Sequence, residues 1–568
     1  MKKRIIITLL LAVVALAGQC QKKNPVQKTV EQISITTDAK LNARQKVGAY
    51  MKAGDYDGPI GIKLRGNSSL SFNQKKYTIE LRDRMGKDVE APLLGMPSHS
   101  DWVLLAPCND VSAVRDPLAF YLWREMGHWG PRTRIVELTL NGEYRGIYIL
   151  SEAIKRGEQR VNIDKMRKKD IGGIDVTGGY LLRIDTYNED DATHVSKVPG
   201  IGEGNMSSQV IWSCIYPKKK KLQPEQLAYI WNYVDTVEQV IQSDSFADPN
   251  TGYSRYIDVP SFVDYFIHTE LSMNADGYKR SAYFYKEKQN ADGSGGKLVA
   301  GPVWDYNLAY GNANFANADN TEAWCFEGAS NNPTPALWQR LLQDLAFRKQ
   351  VKSRYESLRK NVLSNKAINT YIDRHARLLA PCLARHFEKY PELLVSEEEK
   401  LQASKQPPFG AFPPMGGFPA LDSIHHFPGG FSMSDSIPQF PFGFPPMGGG
   451  VPPMGGGFPP MGGGFPMPDS IPGFPDGFPP MGEGFSFGDD FPMMPGFGNA
   501  VVGMFAAYRV SSYQEEIQIL KKWLASRLSF LDRNISRFDK DWEPHIQEPK
   551  EIKAPQFGGG FPFAFPAF

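Results

Sequence analysis

The stretch VELTLNGEYRGIYIL, residues 136–150, holds two short runs rich in β-branched and aromatic residues around Asn141-Gly142, a dipeptide suited to a tight two-residue hairpin turn. It places a sheet in the first half of the chain. Upstream, residues 60–64 and 77–81 repeat the short β-rich pattern, and residues 110–126 read as a helix. Downstream the period changes. Residues 224–242 carry Pro224 in the first turn and Leu227, Trp231, Val234, Val237 and Ile241 on one face, the pattern of an amphipathic helix. A further helix covers 260–272, followed by NADGYKR and two strands, 281–286 and 297–303, joined by a Gly-rich loop. The order is a β-rich lobe followed by a mostly helical lobe, an α+β chain.

One tract breaks this organisation. Between residues 406 and 499 the unit PPMG recurs at Pro413, Pro445, Pro452, Pro459 and Pro479 among Phe-Pro and Gly-Gly dipeptides. Prolines remove backbone donors and glycines cost entropy, so the tract reads as a disordered Pro/Gly/Phe/Met-rich insert. Its Phe and Met residues suggest self-association or contact with a cell surface. Ile368, Ile372, Leu379 and Leu383 before it, and Ile517, Leu520, Leu524, Leu528 and Leu531 after it, step at helical spacing. The tract is therefore expected as a long loop within a helical subdomain, because closure entropy grows only logarithmically with length.

The chain begins MKKRIIITLLLAVVALAGQC: a basic start, an apolar run and Ala15-Leu16-Ala17 as a cleavage site. This is the pattern of a signal peptide, and the apolar run is shorter than the ~18 residues a membrane span needs. The protein is thus expected to be exported, to a periplasmic, cell-surface or secreted location. Cys20 raises the alternative of a lipoprotein, against which Gln19 is a poor preceding residue. The expected divisions are a signal peptide at 1–17, a linker at 18–32, a β-rich lobe at 33–215 and a helical lobe with catalytic segments at 216–405. The insert at 406–499, a C-terminal helix at 500–545 and a disordered tail at 546–568 complete them. Of 568 residues, 41% are hydrophobic and 22% charged, ordinary for a globular chain, which excludes global disorder and a membrane bundle. Lys+Arg 64 against Asp+Glu 62 leaves a net charge of +2, without the basic excess of a nucleic-acid binder. Cys108, Cys214, Cys325 and Cys382 are widely spaced, with no metal-binding pattern, and read either as disulfide partners or as isolated buried thiols.

Two constellations carry chemistry. Arg65-Gly66-Asn67-Ser68-Ser69 links two strands, and Lys75-Lys76 opens the second. Such a turn followed by an ammonium can cradle a phosphate, or it is a plain β-turn with exposed lysines. Asn274-Ala275-Asp276 follows a helix, and Trp304-Asp305-Tyr306-Asn307 follows a strand. Phosphoryl transfer needs one carboxylate to orient the attacking hydroxyl and another to hold magnesium, and these two aspartates stand where such a pair would. The plainer alternatives are a turn at Asp276-Gly277 and a cap at Asp305.

The blocks RGNSS with KKYTIEL, LLAPCNDVSAVRDPLAF, LNGEYRGIYILSE, NADGYKRSAYFY and GPVWDYNLAYGN follow one another in an order that resembles the spore-coat protein H (CotH) kinase family. The resemblance spans roughly residues 33–326 and resumes in the C-terminal helices. It implies a bilobed protein-kinase-like fold and transfer of phosphate from ATP, with magnesium, to serines of partner proteins. It also implies that Lys76, less securely Lys75, contacts phosphates together with the Arg65, Gly66, Asn67 and Ser68 turn. Asp276 would be the catalytic carboxylate and Asp305 a magnesium ligand. Asn307 stands where many members carry a second acid; its amide oxygen can ligate magnesium but brings no charge. Asp110, Arg115 and Glu152 read either as site residues that orient the lysine or face the nucleotide, or as interlobe ion pairs.

Two function classes follow: an exported kinase acting on serine-rich segments, its own insert included, or a kinase-like surface binding or assembly protein with little turnover. Asp435-Ser436-Ile437-Pro438 and Asp469-Ser470-Ile471-Pro472 repeat one serine context inside the insert and nominate Ser436 and Ser470 as acceptors.

Overall fold

The computed structural model describes residues 26–66, 68–201, 209–328, 334–399, 507–540 and 542–544, with Ser68 described by its backbone alone. These residues belong to one compact unit. The segments read as signal peptide, Cys20, Asn67, the 406–499 tract and the whole tail at 546–568 lie outside them.

The chain opens with β1 (Glu31–Thr36), β2 (Val47–Ala53), β3 (Tyr56–Arg65) and β4 (Lys76–Leu81). A small hairpin, β5 (Ala91–Leu93) and β6 (Met96–His99), precedes β7 (Asp101–Leu105), helix α1 (Arg115–Glu125), β8 (Thr133–Leu140) and β9 (Glu143–Glu152). Strands β1-β2-β3-β4-β7-β9-β8 close into a seven-stranded barrel. Closure comes from β8 pairing parallel to β1, Ile33 opposite Leu138, while the other neighbours run antiparallel. The expected turn at Asn141-Gly142 is present, both residues at positive φ, 51° and 79°, as the tightest hairpin turn requires.

Several barrel strands bury both faces. Trp102, Leu104, Tyr148 and Leu150 fill the barrel, while their neighbours Val103, Leu105, Ile147 and Ile149 pack outward into the main core with α1. Helix α1 is shorter than the expected 110–126. The Asp110 carboxylate accepts from the N–H groups of Ser112 and Arg115, folding 110–114 into a turn that delivers the helix start.

A five-stranded sheet, ordered β11-β13-β10-β14-β15, comprises β10 (Tyr180–Ile184), β11 (Ala192–Val195), β13 (Ile211–Tyr216), β14 (Ala282–Lys286) and β15 (Leu298–Ala300), while the short β12 (Gly200–Ile201) lies outside it. Strand β10 pairs with β14, so this sheet joins chain from both sides of residue 216, the place where the sequence suggested a division into two lobes. The mixed α+β character is as expected; the closed barrel and this shared sheet are additions to it. The helices that follow are α2 (Pro224–Gln242), α3 (Val259–Ser272), which packs on β15, α4 (Ala336–Leu341), α5 (Leu345–Arg359), α6 (Asn365–Leu379) and α7 (Leu383–Lys389), which packs on β9 of the barrel. The four described cysteines are buried free thiols.

The last helix, α8 (Tyr513–Ile535), turns Ile517, Leu520, Leu524, Leu528 and Leu531 into the core that also holds Ile368, Ile372 and Leu379 of α6. The chain on either side of the tract meets here: Val395 donates its N–H to the Val510 carbonyl (3.0 Å), and Arg509 donates to the Glu392 carbonyl (2.7 Å). Replacing 406–499 by a short Gly/Ser loop is therefore expected to leave one cooperative melting transition, with a gain of about 1–2 kcal/mol from shorter closure. Calorimetry checks this; loss of the single transition would show that the tract is part of the fold.

Candidate active site

Four segments converge. The first is the turn between β3 and β4. Arg65 and Lys76 are opposite partners across the two strands, and Gly66 between them takes φ 122°. A β-carbon at Gly66 would fall 1.8 Å from the Ser69 hydroxyl, so the turn requires glycine. Lys75 precedes β4 and Lys76 opens it, and the two side chains find different partners. The Lys75 ammonium donates to the Leu70 carbonyl within the turn, whereas Lys76 reaches Asp305, Nζ to Oδ1 3.8 Å. Burial works against the Lys76 charge, but Asp305, with smaller help from Asp116, outweighs it and holds the ammonium above its usual pKa.

The second segment leaves α3, which ends at Met273 in a left-handed conformation. The Asn274 side chain donates to the Asp305 carbonyl (3.2 Å) and accepts the Asp276 N–H (3.3 Å), joining the two aspartate segments. Asp276 sits in a turn closed by Gly277 N–H to the Asn274 carbonyl (2.7 Å), so the turn reading and the site position hold together. Its side chain keeps 16% exposure, with Arg280 at 3.7 Å. Burial, aided by Asp305 and opposed by Arg280, pushes the carboxyl up to about 6.

The third segment follows β15. Asp305 adopts φ 66° and its side chain stays 36% exposed. Turns rather than a helix follow it, which removes the capping alternative. Beside it Trp304 carries the Arg65 guanidinium 5.0 Å above its ring and stacks on Phe120 at 5.5 Å. The Asn307 side-chain amide donates to Asn109 Oδ1 (2.9 Å), which leaves its carbonyl oxygen to a ligand.

The fourth segment, 109–116, supplies residues that sequence reasoning passed over. Asp116 is buried and accepts the Tyr306 N–H at 2.6 Å. Burial and then Asp305 push its carboxyl up to about 7. Asn109, besides Asn307, receives Asn312 Nδ2 on its carbonyl (2.9 Å). Arg115 and Asp110 form an ion pair of 2.5 Å within a buried cluster; Arg115 also pairs with Glu516 of α8 (2.6 Å) and donates to Tyr508 (2.8 Å). The signal for Asp116 lay in the sequence as a carboxylate beside Arg115 within the helix expected at 110–126.

Glu152 stands elsewhere in the barrel wall. It is fully buried and takes Arg132 at 2.7 Å and Arg160, while Lys76 has Asp305 as its carboxylate. Its ion-pair partners are thus the two arginines and not Lys76.

Among the described residues no group of three or more His, Cys, Asp or Glu could hold a metal ion. Magnesium bound through nucleotide phosphates needs only one or two protein oxygens, its other positions going to phosphate and water. The half-open Asp305 carboxylate and the Asn307 amide oxygen fit that requirement. An ammonium, a partly exposed carboxylate, an amide oxygen and a second carboxylate of raised pKa therefore face one site, a set able to support group transfer from a phosphate ester.

No curated protein matches this sequence. A family model described as CotH kinase protein matches residues 62–406, a span that holds Lys76, Asp276 and Asp305 and ends before α8. Matched over more than half of its length in this way, the chain belongs to the CotH kinase protein family.

Proposed function

We propose that the protein is an exported phosphotransferase that moves the γ-phosphate of ATP to serine hydroxyls of a partner protein or of its own 406–499 tract. One observation carries this reading: Lys76 and Asp305 pair at 3.8 Å, and Asn274 ties Asp305 to Asp276. Phosphoryl transfer demands positioning and charge stabilisation more than covalent chemistry. Lys76, Arg65 and the turn of Gly66, Asn67 and Ser68 hold the phosphates, and Asp305 with Asn307 holds magnesium. Magnesium, when bound, offsets the charge developing on the transferred group. Asp276 orients the serine hydroxyl and takes its proton, as the serine oxygen bonds to phosphorus and the bond to the β-phosphate oxygen breaks. The basic and apolar N-terminal run supports export.

Because burial raises the Asp276 carboxyl to about 6, it is protonated and unable to accept a proton below that pH. The initial rate is expected to rise about tenfold per pH unit up to that point and then level off. A profile flat from about pH 5 to 8 would remove Asp276 as the base.

The neutral side chain of Asn307 favours a second reading, a binding or assembly protein with little turnover. Incubation with labelled ATP and magnesium, followed by mass spectrometry of the intact chain, separates the two. Phosphate on Ser436, Ser470 or an added serine-rich protein, absent from Asp276→Ala, supports the kinase; no incorporation supports the second reading.

A further inference from the structure

Residues 306–312, which carry the proposed metal ligand Asn307 and follow Asp305, contain no regular secondary structure. Asp305 nevertheless holds φ 66°, a left-handed conformation disfavoured for a residue with a side chain and held here by its surroundings. The restraints come largely from one short segment. Asp116 accepts the Tyr306 N–H at 2.6 Å, and its neighbour Arg115 donates Nε to the Ala309 carbonyl at 3.0 Å. Asn109 accepts from the Asn307 side chain at 2.9 Å and, through its carbonyl, from the Asn312 side chain at 2.9 Å. On the opposite side Tyr310 N–H meets the Ser272 carbonyl at 2.7 Å.

Arg115 cannot follow the loop if it moves, because Asp110, Glu516 and Tyr508 hold its guanidinium in a buried cluster. Consecutive residues in the first turn of α1 thus grip the loop at both ends, Asp116 by a backbone donor and Arg115 by a backbone acceptor. Lys76 faces Asp305, while Asp116 spends a carboxylate oxygen on the peptide immediately after Asp305.

We infer that segment 109–116 is a clamp that sets the geometry of the Asp305–Asn307 ligand pair, and that Asp116 is its positioning residue, acting as a hydrogen-bond acceptor. This rests on the proposed phosphotransfer reading for its functional consequence but not for the clamp itself. An acceptor role and a charge role separate cleanly: Asn at position 116 keeps an oxygen for Tyr306 N–H and loses the charge, whereas Leu keeps the volume and loses both.

The test compares full-length wild type, Asp116→Asn and Asp116→Leu in two measurements. Hydrogen exchange of peptides covering residues 304–310, without nucleotide, reads the clamp directly. The magnesium concentration giving half-maximal ATP binding reads its consequence. Asp116→Leu is expected to speed exchange in 304–310 alone and to raise the magnesium requirement about 10–100-fold, as loss of a ligand's supporting hydrogen bond does. Asp116→Asn should stay near wild type in both. Unchanged exchange in Asp116→Leu, or equal damage in Asp116→Asn, overturns the inference. Where Asp116→Leu does not fold, Asp116→Asn decides: wild-type behaviour upholds the acceptor role and loss of both readouts overturns it. Failure of wild type to bind ATP would sink the proposed function while leaving the exchange result to judge the clamp.

Discussion

Replacing Asp276 by Ala is expected to lower phosphate incorporation by about 10²–10⁴-fold while leaving ATP affinity nearly unchanged. Under the proposed function this carboxylate meets the acceptor hydroxyl in the transition state rather than the bound nucleotide, so its removal falls on turnover. Asp305→Ala should do the reverse in order of severity, weakening ATP binding in magnesium more than Asp276→Ala does. Asp305 is the partner of Lys76 at 3.8 Å and the half-exposed carboxylate of the site. Calorimetric titration of ATP with magnesium, beside a labelled-phosphate assay, measures both effects. Equal nucleotide affinity in the two variants would reverse or abolish the assignment of roles.

The largest expected effect on stability belongs to Arg115→Met. Its guanidinium is fully buried between Asp110 and Glu516, whose side chains are themselves almost fully buried. Removing one partner from such a cluster leaves charge without compensation, a cost of about 3–5 kcal/mol. Glu516 already has its pKa raised, burial outweighing Arg115. Without Arg115 the folded-state pKa of Glu516 climbs further above the unfolded value. A carboxyl with a raised folded pKa favours folding only when protonated, so the deficit should shrink as pH falls into the ordinary carboxylate range and widen above it. Urea unfolding across pH checks this. A deficit under about 1 kcal/mol, the size of an exposed pair, would show that the cluster is solvated.

Much of the local structure was legible because it follows from short-range patterns. Asn141-Gly142 needs two residues at positive φ and marks its hairpin, and of the expected apolar face of α2 Val234, Val237 and Ile241 are buried while Leu227 and Trp231 pack partly buried against the core. Barrel closure is different. The pairing of Ile33 with Leu138 joins strands a hundred residues apart, and no local pattern announces it. Asp101–Leu105 escaped notice because both faces are buried, so DWVLL lacks the alternation that marks a half-exposed strand. At the site, Lys76, Asp276 and Asp305 stood out through family-like blocks, and the structure sets the first and third in contact. Glu152 could not be apportioned from sequence, since Arg132 and Arg160 reach it only through the barrel wall and the loop that follows. Asp116 was missed, and the bridging role of Asn274 went unread, because their partners are backbone groups of Tyr306 and Asp305, which carry no mark in a sequence.

Helix α8 gives the chain a time order as well as a shape. It supplies Glu516 to Arg115 and Arg527 to Glu270, and Glu270 in turn accepts the N–H groups of Cys325 and Phe326 and the Tyr278 hydroxyl beside the Asp276 turn. All of these partners except Glu516 and Arg527 are synthesised before the tract. At about 5–20 residues per second, the ribosome spends several seconds or more on the hundred or so residues between them. Throughout that interval the growing chain holds Arg115 and Glu270 without the charges that complete them, and the lysine, both aspartates and the loop between them exist in a chain whose last support has yet to be made. A protein arranged in this way completes both of these buried charge clusters only at the end of translation.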